Sequence, residues 1–169
     1  SVFQFLQEYE KLSFPEAVQK LADRAGITLE AQESSTPEEK EKINLLFDAN
    51  EFAADFYNKM LISEKGRTAR KYLEARKFKL ETLKIFQVGF ALEEWGSFVS
   101  IAEKKGFTPE ILVSAGLASR KEQGGIYDRF RNRLMFPIHN IANRVVGFGG
   151  RSMEKDDPAK YLNTSETML

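Results

Sequence analysis

The sequence predicts an α+β domain, with helices packed on a small, mainly antiparallel sheet and a helical appendage at the N-terminus. Three observations predict it. Apolar spacing alternates between the helical period and the strand period of 2 with no repeating unit, which argues against a βαβ series and against internal repeats. A helical run from Pro37 to about Ile62 carries apolar residues at Ile43, Leu46, Phe47, Ala53, Ala54, Tyr57, Met60 and Leu61. Finally, Leu134 to Ile138 and Arg144 to Phe148 read as two short strands joined by a turn around Asn140 to Asn143, whose Asn residues tolerate positive φ.

Composition bounds the function classes. The 169 residues include 14 Phe, 42% hydrophobic and 30% charged residues and no Cys, a globular composition that excludes disulfides and thiolate metal sites. With no run of eighteen apolar residues and no signal-peptide pattern, the expected setting is cytoplasmic, with no membrane partner. The formal net charge of zero is unevenly spread. Residues 1–60 hold 12 acids and 6 bases (−6), 61–119 hold 7 and 10 (+3), and 120–169 hold 6 and 9 (+3). A polyanionic partner would meet the C-terminal two thirds.

Taken in order, Ser1 to Glu10 places Val2, Phe3, Leu6 and Tyr9 at helical spacing. A chain that opens inside a helix reads as a fragment. Ser13-Phe14-Pro15-Glu16 then starts a second helix that Gly26 stops. Residues 28–36 form a polar linker, so the expected division is 1–27, 28–36 and 37–169. Thr36-Pro37-Glu38-Glu39 supplies an N-cap, an N1 proline and a capping-box acid for the long helix, of about 39 Å at 1.5 Å per residue. Its Phe47, Phe52, Phe56 and Tyr57 read as core.

Gly66 breaks that pattern, and Thr68 is expected to cap a helix from Ala69 to Ala75. Eight bases stand between Lys65 and Lys84 against Glu74 and Glu81. Gln87 to Ala91 reads as a strand, and Trp95, Phe98, Val99 and Ala102 mark a helix stopped by Gly106. Thr108-Pro109-Glu110 opens another that Gly116 ends, and Ser119 to Gly125 reads as a charged loop.

Between Tyr127 and Arg151, five arginines (Arg129, Arg131, Arg133, Arg144, Arg151) face one acid, Asp128. In an extended segment Arg129, Arg131 and Arg133 would share one face, their guanidinium forks suited to phosphate oxygens. His139 is the only histidine and reads as a surface residue. The acids near this basic stretch, Glu154, Asp156 and Asp157, sit in a loop.

The blocks YDRFRNRLMFPIHN, RVVGFGGR and PAKYLNTSET, in this order and spacing, resemble the N-terminal subdomain of the RNA-polymerase domain of bacterial-type DNA primases. The resemblance extends over nearly the whole chain: EYEKLSFPEAVQKLADRAGI is similar to the helices that close the family's zinc-binding domain. The resemblance implies an enzyme that makes short RNA primers on single-stranded DNA template, using nucleoside triphosphates and working with a replicative helicase. It implies that Arg76, Arg151 and Lys160 match template-contacting positions, with Arg129, Arg131 and Arg133 adding phosphate affinity. Where the family commonly has Gly after the arginine of YLE-x-R, this chain has Lys77. By the same resemblance zinc ligands lie before Ser1, and magnesium-holding acids lie in a toprim subdomain after the SETML motif. No catalytic, metal or cofactor residue is therefore expected within this segment, which alone would be inactive. A different class of reading is a non-enzymatic protein-interaction module, its Glu-rich long helix docking on a partner. No GxxxxGK[ST] or GxSxG pattern supports a free-standing enzyme.

Overall fold

The computed structural model describes residues 14–26 and 36–169, together with Tyr9. The rest of the first expected helix and the polar stretch 27–35 lie outside the described residues. The chain divides into two compact units, Ser1–Pro37 and Glu38–Leu169. In the first, α1 (Phe14–Ala25) ends where Gly26, at φ +65°, turns left-handed and donates its N–H to the Asp23 carbonyl.

The second unit begins within the first turn of α2 (Pro37–Ile62), whose Leu46, Ala49, Ala53, Phe56, Tyr57 and Leu61 are buried along one side. A 3₁₀ turn, Glu64–Gly66, leads directly into α3 (Arg67–Ala75). The helix therefore starts before the expected cap Thr68. Its N-cap is Gly66, where a Cβ would lie 2.2 Å from the Leu61 carbonyl oxygen, so only glycine fits against the end of α2. A short helix not foreseen from the sequence, α4 (Leu80–Ile85), precedes β1 (Gly89–Ala91). Then come α5 (Val99–Lys105), closed by Gly106 at φ +104°, and α6 (Pro109–Ser114), whose N-cap Thr108 accepts the Ile111 N–H.

Where a loop was expected over 119–125, β2 (Ala118–Arg120) and β3 (Ile126–Asp128) pair as an antiparallel hairpin turned by Gly124 and Gly125 at positive φ. The main sheet is completed by β4 (Arg133–His139), β5 (Val145–Ser152) and β6 (Tyr161–Asn163), in the order β1-β4-β5-β6, every pairing antiparallel. β5 continues past Phe148 through both glycines. A Cβ on Gly150 would approach the Phe130 ring to 2.9 Å, and its absence lets that ring lie against the strand.

The sheet has a core on each face. Met135, Phe148 and Ala91 join α2, α5 and α6 around Tyr57, Phe98 and Phe130. Leu134 and Phe90, one register step away, pack with Leu61, Ala69, Leu73 and Leu83. Burying each large side chain contributes about 1.5–3 kcal/mol. Of the four aromatics of α2, Phe56 and Tyr57 are buried and Phe52 packs against the first core, while Phe47 lies at its side under the Arg144 guanidinium, 3.8 Å away.

Buried Asp128 ties the β2–β3 hairpin to α5. Its carboxylate accepts the Phe98 and Val99 N–H groups, each at 2.8 Å, and the Ser97 hydroxyl at 2.9 Å, capping α5 from another element. Its own N–H donates to the Trp95 carbonyl at 2.9 Å, fastening the segment before α5.

Candidate nucleic-acid interface

Helix α3 ends in a left-handed cap. Lys77 sits at φ +64°, with its N–H on the Glu74 carbonyl at 2.8 Å and the Phe78 N–H on the Leu73 carbonyl at 3.1 Å. This is the Schellman pairing that a glycine ordinarily serves, made here by lysine. It leaves Arg76 as the helix C-cap, four residues after Tyr72, with its guanidinium carbon 4.7 Å from the Tyr72 ring centre.

Arg151, near the end of β5, comes to the same ring. In register it stands opposite Leu134 on one side and Tyr161 on the other, so its side chain projects from the sheet face that α3 covers. Its guanidinium carbon is 5.0 Å from the Tyr72 centroid and 6.0 Å from that of Tyr161, and its Nε donates to the Tyr161 hydroxyl at 3.4 Å. That hydrogen bond leads the contributions raising the Arg151 pKa above its ordinary value. Two arginines about 75 positions apart thus flank one tyrosine.

Lys160 is next to this pair by main chain. Its carbonyl accepts the Ser152 N–H at 2.9 Å, one residue from the Arg151–Tyr161 pairing, while its Nζ folds back to the Glu154 carbonyl at 2.9 Å.

The three alternating arginines do not share a face. Asn132 takes φ +47°, which breaks the extended run, and each guanidinium finds a separate partner. Arg129 reaches the Asn163 carbonyl at 3.2 Å. Arg131 donates to the Asp128 carbonyl at 2.6 Å and lies over Trp95, 3.8 Å from the ring centre, with Tyr127 at 5.3 Å. Arg133 turns inward, with 7% of its surface exposed, and pairs with Asp157 at 2.7 Å. Trp95, read as part of a helix, stands before α5 instead and is 61% exposed. Trp95, Arg129, Arg131 and Asn132 border an open cavity of about 470 Å³.

Among the described residues, no three of His, Asp and Glu gather where they could hold a metal ion. The loop acids do not fit magnesium, because Asp157 is committed to Arg133 and to the Ala159 N–H, and Glu154 accepts from Asn132 at 3.3 Å. The Asp157 pKa is lowered, first by a hydrogen bond from Ser152 and next by the Ala159 N–H. The His139 ring meets the Gln87 side chain at 3.3 Å, at the surface.

Sequence reasoning missed Tyr72, Tyr161, Trp95 and Tyr127. For Tyr72 the signal was available: it precedes Arg76 by one helical turn. For Trp95 there was none, because its partner arginine lies in a loop 36 residues on.

Residues 56–169 match the family model for the DNA primase catalytic core, N-terminal domain. The chain is 42% identical to the DNA primase of Deinococcus radiodurans over 98% of its own length and 28% of that protein, and 42% identical to that of Mycobacterium tuberculosis over 99% and 27%. It therefore spans just over a quarter of the length of these relatives. Among solved structures, the RNA polymerase domain of M. tuberculosis primase, in complex with double-stranded DNA bearing a 6-nucleotide overhang, superposes with a TM-score of 0.70. That match has 42% identity and covers 75% of this chain and 40% of the other. A DnaG primase catalytic domain bound to single-stranded DNA gives a TM-score of 0.68 at 35% identity, covering 77% and 40%.

Proposed function

This chain belongs to the DNA primase catalytic-core family, and we propose that its own task is to hold single-stranded DNA template for an active site formed elsewhere in the protein. The observation that carries this reading is the shared ring: Arg76 and Arg151, remote in sequence, flank Tyr72 at 4.7 and 5.0 Å. Two cations stacked on one ring suit the phosphates of one strand, and the stacking limits the rotamer freedom lost on binding. Lys160 adds a third cation once its ammonium leaves the Glu154 carbonyl. Across the sheet, Trp95 has one face covered by Arg131 and much of its surface free, an arrangement suited to stacking a base. Arg129, at the same cavity, is placed for a phosphate.

In the whole protein this segment serves the synthesis of short RNA primers from nucleoside triphosphates. Magnesium is held by acids outside it, zinc belongs to a separate domain, and a replicative helicase is the partner. On this reading the segment alone makes no primers, because the carboxylates that hold the metal ions of nucleotidyl transfer belong to another part of the protein.

The test uses a labelled oligo-dT and the intrinsic fluorescence of Trp95, the single tryptophan of the chain. Single-stranded DNA should quench that fluorescence. Arg76→Ala, Arg151→Ala and Lys160→Ala should each weaken binding and lower the slope of log affinity against log salt by about 0.7. Lys71→Ala and Lys84→Ala should leave the slope unchanged. The reading is wrong if the first three variants bind as the parent does, or if adding template, nucleotides and magnesium to the purified chain yields new oligoribonucleotide.

A further inference from the structure

We infer that Arg133 and Asp157 form a clamp that positions the β5–β6 loop, and through it Lys160 and Tyr161, so that Arg133 acts on template without touching it. The inference rests on the template reading above and adds a positioning role to it.

Arg133 opens β4 with its guanidinium directed into the protein: Nη2 meets the Asp157 carboxylate at 2.7 Å and Nη1 the Ala159 carbonyl at 2.7 Å. The side chains of this pair are 8% and 16% exposed. The other Asp157 oxygen accepts the Ala159 N–H at 2.8 Å, so one guanidinium holds the loop at two points two residues apart. Residues 153–160 contain neither helix nor strand, and β6 that follows has three residues. Their further anchors are the Ser152 hydroxyl, which accepts the Glu154 N–H at 3.1 Å, the Met153 N–H on the Asn132 carbonyl at 3.0 Å, the Asn132 amide on the Glu154 carboxylate at 3.3 Å and, at the far end, the Ser152 N–H on the Lys160 carbonyl at 2.9 Å. Asp157 stands three residues before Lys160 and four before Tyr161, the hydrogen-bond partner of Arg151. A free Arg133 would add one more phosphate contact. A clamped one decides where Lys160 and Tyr161 stand.

The two roles make opposite predictions for Asp157→Asn. Removing a negative charge beside a template track should tighten DNA binding if charge alone matters. If the clamp matters, the same change should weaken oligo-dT binding by about tenfold, the scale of one charge-assisted contact. Arg133→Lys, which keeps the charge but loses the fork, should weaken it similarly. In a Lys160→Ala background most of the Asp157→Asn effect should vanish, because the clamp then has less to position. Backbone hydrogen exchange without DNA supplies an independent reading. Residues 153–163 should exchange at least about tenfold faster in Asp157→Asn, with β4 and the body of β5 unchanged. The inference is overturned if Asp157→Asn binds DNA as tightly as the parent or more so, if its loss persists in full with Lys160→Ala, or if exchange over 153–163 does not change. Should the parent fail to bind oligo-dT while exchange responds as expected, the template reading falls and the clamp stands as a structural device alone.

Discussion

Replacing Lys77 by glycine should stabilise the domain, and the structure supplies the magnitude. Lys77 closes α3 at φ +64° with both capping hydrogen bonds in place, so the motif is fully formed and only the side chain is at odds with the backbone. A left-handed conformation costs a non-glycine residue about 1–2 kcal/mol, which glycine avoids. The gain is partly offset because glycine adds freedom to the unfolded chain, leaving a net of about 0.5–1 kcal/mol. Both capping bonds are main-chain and the Lys77 side chain is exposed, so neither depends on it. Lys77→Ala is the control, since it removes the charge and keeps the Cβ. Urea unfolding followed by circular dichroism should place Lys77→Gly above Lys77→Ala by that margin, with an unchanged denaturant slope. If the two variants unfold at the same midpoint, the strain assigned to position 77 is absent.

Asp128→Ala should cost about 3 kcal/mol, because it strands two buried N–H donors and the Ser97 hydroxyl; Asp128→Asn, keeping one acceptor oxygen, should lose less, and urea midpoints rank the three proteins. The lowered Asp157 pKa fixes the sign of a pH effect: its stabilisation is present above the ordinary carboxyl value of about 3.9 and is lost as pH falls through the lower folded value. The stability gap between the parent and Asp157→Asn, measured by urea midpoints from pH 7 to pH 2.5, should therefore narrow only at the acid end; a constant gap would contradict it.

Much of the architecture is readable along the chain, for local reasons. The long helix obeys its period and its capping residues, and α2 runs Pro37–Ile62. The β4–β5 hairpin follows from two short apolar runs and an asparagine turn, and Asn143 does take positive φ, at +60°. The β2–β3 hairpin escapes notice because three-residue strands containing Ser119 and Arg120 carry no alternation to read. The arginines of 129–133 mislead for a related reason. Spacing of two means one face only if the backbone stays extended, and Asn132 ends that condition. Tyr72 as a shared platform is beyond any local pattern, since it depends on Leu73 and Leu134 packing in one core and so carrying α3 onto the strand that bears Arg151.

Register explains why the basic residues separate into two groups. Leu134 faces Arg151 across the ladder, while Arg133 faces Ser152, so the two pairs project from opposite sides of the sheet. Arg151 emerges beside Tyr72 and Arg76, the surface proposed above for template. Arg133 goes to the other side, where an arginine needs an acid and finds Asp157. The β5–β6 loop begins at the end of the strand bearing Arg151 and is gripped by Arg133, so it links the two faces. A single step of register would undo this: shifting β4 by one residue against β5 would turn Arg133 to the face that bears Arg151 and take it away from Asp157. Conservation of charge in this region is therefore insufficient for template binding, because the same five arginines in another register would present a different surface.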